Sequence, residues 1–301
     1  MQKVWLVRKT EIAFIIFASI LITYSWLDGL EYESRLNIQY VHLDSVHKVI
    51  PINDSLVIPV LYDSLIITNT APAQKRKEQF VNQVLPAILI VKYHLENKSK
   101  KVNRIIKKIE SNIVLRPKEE VYADSLMKCF RAKSYENLLM RMQPHPASLV
   151  LAQAALESGW GSSRFAMEGN NLFGMWASSK DRNVIRSLFK RSDNQIYVKK
   201  YLNVAESIDH YFLTIGRNNA YRKFRAKRYE QANVFQLIET LDKYSERGEE
   251  YTNDLRKIIE WNALQKYDYY GIDPDYIQHI TVWDHYMDFI NMKISNVISS
   301  K

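Results

Sequence analysis

One cysteine, Cys129, stands in a chain of 301 residues, so no intramolecular disulfide can staple the fold. A zinc site built on several thiolates is excluded for the same reason. Cys129 falls in a helical pattern, Ser125-Leu-Met-Lys-Cys-Phe130, where a small buried hydrophobe is expected. Histidine is also sparse. His145, His210, His279 and His285 have no tight ligand spacing, so neither a metal nor a cofactor is expected. Glycine and proline number eight each, which rules out a low-complexity body, and no internal repeat is present. No nucleic-acid-binding motif accompanies the basic residues, so nucleic acid is not expected as a partner. The formal charge of +9 still suits anionic lipid or an anionic polymer. Its densest run, Lys98, Lys100, Lys101, Arg104, Lys107 and Lys108, reads as the solvated face of one helix.

Apolar sequence is short of one long stretch. Residues 12–27 fall below the roughly 20 residues of a comfortable spanning helix, yet are long for a signal-peptide core. Lys3, Arg8 and Lys9 precede the run, and Asp28, Glu31 and Glu33 follow it. That asymmetry places the N-terminus in the cytoplasm and the body outside. The expectation is an extracytoplasmic protein in the periplasm or cell envelope. It is held to the membrane by residues 12–27 as an uncleaved anchor, or exported after cleavage; a buried soluble helix is the plain alternative.

What is present is core-forming sequence. At 47% hydrophobic content the chain can build one domain of about 200–250 residues, or two smaller ones. The expected division is a signal segment over 1–27, an extracytoplasmic spacer over 28–72 and a domain over 73–298. Val57-Ile-Pro-Val60 and Leu65-Ile-Ile-Thr68 give the spacer some strand character. From Pro72 the period becomes helical, with Phe80, Val84, Leu85, Ile88 and Leu89 on one face and Pro86 marking a kink or restart. Further helices are expected over 98–111, 118–131, 134–142, 204–217, 233–244, 249–263 and 283–298, with a small β-containing lobe over 168–200. The fold class is α+β, predominantly α.

The sharpest feature is Ser148-Leu-Val-Leu-Ala-Gln-Ala-Ala-Leu-Glu157. Only Gln153 interrupts the apolar stretch, so protein should surround this helix, with Ser148 as its cap. Gly159 marks its end. Glu157 then projects from the C-terminal turn, where desolvation and the helix dipole both disfavour its carboxylate. A carboxyl kept protonated near neutral pH is what a general acid requires. The structural alternative is a Glu paired with Arg164 or Lys180. Trp160 and the segment Gly169-Asn-Asn-Leu-Phe-Gly-Met-Trp176 add ring faces and amides suited to pyranose sugars. Phe173 fits core and cleft equally well.

Leu151-Ala-Gln-Ala-Ala-Leu-Glu-Ser-Gly-Trp-Gly161, continued by Ser162-Ser-Arg-Phe-Ala166 and Glu168-Gly-Asn-Asn-Leu-Phe-Gly174, resembles the signature of the bacterial glucosaminidase family. Within it the chain is similar to the Bax-like proteins. Lys75-Arg-Lys-Glu-Gln-Phe80, Leu85-Pro86, Leu241-Asp-Lys-Tyr-Ser-Glu-Arg-Gly248, Tyr251 and Asn262 extend the resemblance over residues 72–290. The resemblance implies a lysozyme-like helical domain with a small β lobe. It also implies an endo-β-N-acetylglucosaminidase acting on peptidoglycan strands, with Glu157 as general acid. Trp160, Asn171, Phe173, Trp176, Tyr201 and Tyr221 are the implied substrate contacts.

A second carboxylate is not marked. Asp181, Asp193, Glu206 and Asp209 are candidates; Gln195 stands near where an acid might be sought, and Glu168 reads as shaping a turn. Substrate assistance by the sugar's own acetamido group stays open. So do muramidase or lytic transglycosylase chemistry and a non-catalytic glycan-binding role.

Overall fold

The computed structural model describes Ser19 and residues 33–178, 181–191 and 194–280. The apolar run over 12–27, Ser19 apart, and the helix expected over 283–298 lie outside these residues. Among the described residues no helix is long and apolar enough to cross a membrane. Contacts divide the chain into a large unit, Ile38–Tyr276, and a smaller one formed by the segments flanking it. In the smaller unit Glu33–Leu36 pairs antiparallel with Ile277–Ile280.

The large unit is organised on one 38-residue helix, α1, Ala73–Glu110. Pro86 lies inside it without dividing it, and no second helix begins near residue 98. An interior proline costs about 3 kcal/mol through a lost hydrogen bond and a steric clash. Burial outweighs that cost here: Phe80, Val84, Leu85, Ala87 and Ile88 are all fully buried around it. Lys107 and Lys108 sit in the last turn, where the helix dipole favours positive charge.

Residues 38–72, read from sequence as part of a spacer, belong to this unit. Gln39–Val41 and Val60–Tyr62 pair in parallel, as do Leu56–Val57 and Gly271–Ile272. Residues 65–68, expected to have strand character, form no strand. Their backbone is satisfied by side chains of α1 instead. Gln83 Oε1 accepts from Ile66 N at 2.9 Å, Gln83 Nε2 donates to Ile66 O at 2.9 Å, and Gln79 Oε1 accepts from Thr68 N at 3.0 Å. Two buried glutamines do the work of a neighbouring strand.

Three more helices follow: α2, Pro117–Phe130; α3, Tyr135–Met142; and α4, Ala147–Ser158. Cys129 is exposed on α2 rather than buried. A short α5, Arg164–Gly169, leads into a three-stranded antiparallel lobe of Trp176–Ala177, Asn194–Lys199 and Val184–Arg191 in that order. After it come α6, Val204–Arg217; α7, Arg222–Tyr229; α8, Val234–Ile238; and α9, Glu249–Trp261. The fold is α+β with helix dominant. The helix expected over 233–244 stops at Ile238, and turns carry the chain to Gly248.

The start of α4 departs from expectation. Pro146 holds the cap position and has no side-chain acceptor, so Ser148 is inside the helix. Asp268, 120 residues away in the 3-10 turn Leu264–Tyr269, supplies the acceptor: its two oxygens take Ser148 N and Ser148 Oγ at 2.7 Å each. A carboxylate there also complements the positive end of the helix dipole. Replacing it in Asp268→Ala leaves two donors at a buried helix end without a partner. The expected loss is about 1–3 kcal/mol, read from the denaturant midpoint. An unchanged midpoint would mean that water replaces the carboxylate freely.

Candidate active site

Helix α4 is buried from Ala147 to Ala155 and is packed by α1, α9 and the 3-10 turn Leu264–Tyr269. Its apolar sequence is therefore the central rod of the domain. The rod ends in an unusual turn. Gly159, Trp160 and Gly161 are three consecutive residues with positive φ, at 58°, 56° and 77°. Gly161 needs that freedom for a second reason, since a Cβ there would meet the Phe80 ring at 3.0 Å and Ile67 at 3.2 Å. Trp160 has no such freedom, and a non-glycine residue in this region carries strain of about 1–3 kcal/mol. Ser158 offsets it by bridging the turn, donating to Ala154 O at 2.5 Å and accepting from Gly161 N at 2.8 Å. The Trp160 ring meets Phe80 edge-on at 5.6 Å, and the Lys77 ammonium lies 5.1 Å from its centre.

This turn leaves Glu157 exposed at the end of the rod, while protein crowds the remaining sides of its carboxyl. Burial raises its pKa above the usual carboxylate value, against two weaker opposing influences: a hydrogen bond from Tyr251 and the positive charge of Arg247. Arg164 and Lys180 are the structural partners that the sequence offers Glu157. Arg164 is engaged with Glu168 at 3.3 Å and Arg186 O at 2.6 Å, and Lys180 lies outside the described residues.

Tyrosines ring the carboxyl. Tyr211, Tyr221, Tyr244 and Tyr251 each have their pKa raised by burial and, secondarily, by the charge of Glu157, so all four hydroxyls stay protonated. Tyr244 and Tyr251 stack at 5.3 Å, and Tyr221 lies 6.0 Å from Tyr244. A directed chain of hydrogen bonds runs beneath them. Tyr211 Oη donates to Gln153 Oε1 at 2.5 Å, Gln153 Nε2 donates to Tyr251 Oη at 2.9 Å, and Tyr251 donates to Glu157. Gln153 and Glu157 are four residues apart on α4, so they share a helix face. The polar interruption of the apolar run was the one sequence signal for this network. Tyr211, Tyr244 and Arg247 carried no such signal individually.

The other residues singled out from sequence divide. Tyr221 joins the ring around Glu157. Phe173 is buried and stacks on Tyr211 at 4.3 Å, as part of the core. Asn171 is 1% exposed, and its amide holds the loop: it donates to Met175 O at 3.1 Å and Lys199 O at 2.8 Å and accepts from Met175 N at 2.9 Å. With those bonds made, its place is architectural. Trp176 is 60% exposed on the β lobe. Tyr201 is bonded to His210 Nδ1 at 2.6 Å, where burial and Lys199 push the histidine down to about 4.

Among the further carboxylates, Glu206 accepts from Leu202 N at 2.9 Å at the start of α6, and Asp181 accepts from Ser178 N at 3.0 Å in a turn. Asp209 is exposed on α6. Asp193 lies outside the described residues. Gln195 bridges Arg186 Nε at 2.7 Å and Ser187 O at 2.7 Å within the lobe. No group of three or more His, Cys, Asp or Glu among the described residues is arranged to hold a metal.

A family model described as Glucosaminidase, mannosyl-glycoprotein endo-beta-N-acetylglucosaminidase, matches residues 132–283. The chain belongs to the glucosaminidase family. The matched region takes in the α4 rod, the β lobe and all four tyrosines around Glu157. Among relatives, Protein bax of Escherichia coli (strain K12) is 30% identical over 135 residues, 42% of this chain and 47% of that protein. Exo-glucosaminidase LytG of Bacillus subtilis (strain 168) is 27% identical over 157 residues, 50% of this chain and 54% of that protein. The chain spans about half the length of the curated relatives it matches. Of solved structures, the catalytic domain of the autolysin Auto from Listeria monocytogenes is 19% identical with a TM-score of 0.36, over 55% of this chain and 96% of that one. The glycoside hydrolase domain of FlgJ from Salmonella typhimurium is 24% identical with a TM-score of 0.33, over 47% and 90%.

Proposed function

We propose that this glucosaminidase-family chain is an extracytoplasmic peptidoglycan hydrolase. It cleaves the β-1,4 bond after N-acetylglucosamine, with Glu157 as general acid. The observation that carries the reading is the environment of Glu157: solvent-reachable on one side and crowded by tyrosines on the others, at the end of the buried α4 rod. Burial raises the pKa of the carboxyl and so favours the protonated form, which can give its proton to the glycosidic oxygen as the C1–O bond breaks. Tyr251 and Arg247 then act on the product of that step, because both favour the carboxylate left behind. An acid that must cycle between two charge states benefits from both influences.

The attacking group is not Glu157. Glu206 and Asp181 are engaged in a helix start and a turn, which supports a route in which the substrate's acetamido oxygen attacks C1 and water later opens the ring. Such a route requires one protein acid. The test is mass spectrometry of fragments released from purified peptidoglycan. New reducing N-acetylglucosamine ends support the assignment; reducing or anhydro-muramic ends overturn the bond assigned, and bound strands without fragments overturn catalysis.

The opposing influences on Glu157 give a pH prediction. Tyr251→Phe removes a hydrogen bond that lowers the pKa of Glu157, so that pKa rises further. The protonated acid then persists to higher pH, and the alkaline limb of the kcat/KM profile moves upward. A limb that stays in place or moves down would show that Tyr251 does not donate to Glu157 in the working enzyme.

A further inference from the structure

The lobe-distal end of α6 meets the turns around residues 131–133 and 240–243 in a strongly cationic groove. Two adjoining cavities of about 510 and 640 Å³ share Lys133, Arg141 and Asn219 as lining. Arg131, Lys133 and Arg217 line one part, and Arg222, Lys223 and Lys243 the other. Asp242 is the one acidic residue in either lining. Among the described residues, none of these six cations is in an ion pair.

Beneath the groove the positive charge is buried and still unneutralised. Arg141 is 9% exposed, and its guanidinium is held by Phe130 O, Gly216 O, Arg217 O and the Asn137 amide oxygen. Arg225 bonds to Ile215 O and Asn218 O, and Arg228 to Met140 O and His145. All three bond only to neutral acceptors, and Arg228 Nε has no partner at all, so their charges are not neutralised. Burial together with Arg141 and Arg222 pushes Arg225 down to about 10, and burial with Arg225 pushes Arg228 down to about 9. A mutually repelling set of this kind is relieved by an anion.

The remaining lining narrows the ligand. It consists of Thr214, Asn137, Asn218, Asn219, Ala220 and Thr240, with no aromatic ring. Bases of a single-stranded nucleic acid would find nothing to stack on. Hydroxyls and amides interleaved with guanidinium forks suit repeated phosphate groups separated by polyol units. We infer that this groove is a binding site, separate from the Glu157 cleft, for a phosphodiester-linked polyol polymer. The two sites are neighbours in the chain: Tyr221 and Tyr244 feel the charge of Glu157, while Ala220, Arg222 and Lys243 beside them in sequence line the groove. A polymer held there would keep the cleft against its surroundings, whichever bond that cleft cuts.

The test is fluorescence anisotropy of the full chain with a labelled synthetic oligo(glycerol phosphate), repeated over a range of salt concentrations. Poly-L-glutamate and oligo-dT serve as competitors. Binding with a steep salt dependence is expected. In the double variant Lys133→Gln/Lys243→Gln, both exposed positions, affinity should fall about tenfold or more and the salt slope by about one per cation removed. Glu157→Gln should bind as the native chain does, which keeps this result independent of the hydrolase reading. Equal binding by the double variant, tighter binding of poly-L-glutamate or oligo-dT, or loss of binding in Glu157→Gln would each overturn the inference.

Discussion

Glu157→Gln should lower the rate of fragment release from peptidoglycan by about 10²–10⁴-fold, the contribution of a positioned general acid. The substitution keeps the size and the hydrogen-bonding reach of the side chain and removes only its proton. The same variant carries a stability signature of the opposite sign. Glu157 has a folded pKa raised above its unfolded value, so the native state binds more protons there than the unfolded one between those two values. Stability from this site is fully present below the unfolded pKa and is lost as pH rises through the folded pKa. Glutamine does not ionise, so the variant should be at least as stable as the native chain at neutral pH and less stabilised by acidification. Activity lost together with stability would point to a structural role. Activity retained would remove Glu157 from the chemistry altogether.

That combination was partly legible in the sequence, for identifiable reasons. A nine-residue, mostly apolar run closed by Glu-Ser-Gly-Trp-Gly announces a buried helix with an acid at its end, because burial, period and a glycine terminator are all local properties. The turn was less legible: Trp160 itself takes a positive φ, and its ring packs on Phe80 and Lys77, about 80 residues away. The single helix α1 was obscured by Pro86, whose local cost is overridden by burial that only the folded chain supplies. The cap of α4 was hidden for the same reason, since Asp268 reaches it from 120 residues away. The tyrosines divide along this line. Tyr221 was implied by the resemblance and Tyr244 lay in a segment that carried it, whereas Tyr211 acquires meaning only when α6 brings it beside Gln153 of α4. Asn171 and Phe173 are the converse case: they sit in the most recognisable motif of the chain, and the structure uses them to hold the loop and to pack against Tyr211.

Gln153→Leu should be the most damaging conservative change in the domain. Gln153 is fully buried in the α4 rod, and its amide does two things at once, accepting from Tyr211 and donating to Tyr251. Leucine matches the volume and supplies neither function. Tyr211, itself fully buried, is left with a donor facing leucine, and Tyr251 loses the donor that orients its hydroxyl towards Glu157. Each orphaned buried group costs about 1–3 kcal/mol, so the combined loss should lie in the range of about 2–6 kcal/mol. That is a large fraction of the about 5–15 kcal/mol by which a typical domain is stable. Tyr211→Phe in the same background removes one of the orphaned hydroxyls, so the double variant Gln153→Leu/Tyr211→Phe should recover part of the loss. Denaturant midpoints of the native chain, both single variants and the double variant close the cycle. Recovery in the double variant would place the cost in the unsatisfied hydroxyl; strictly additive losses would mean that the 2.5 Å contact between Tyr211 and Gln153 does not couple them. The recovered protein should still show an upward-shifted alkaline limb in its pH profile, because Tyr251 would remain without the partner that aims it at the acid.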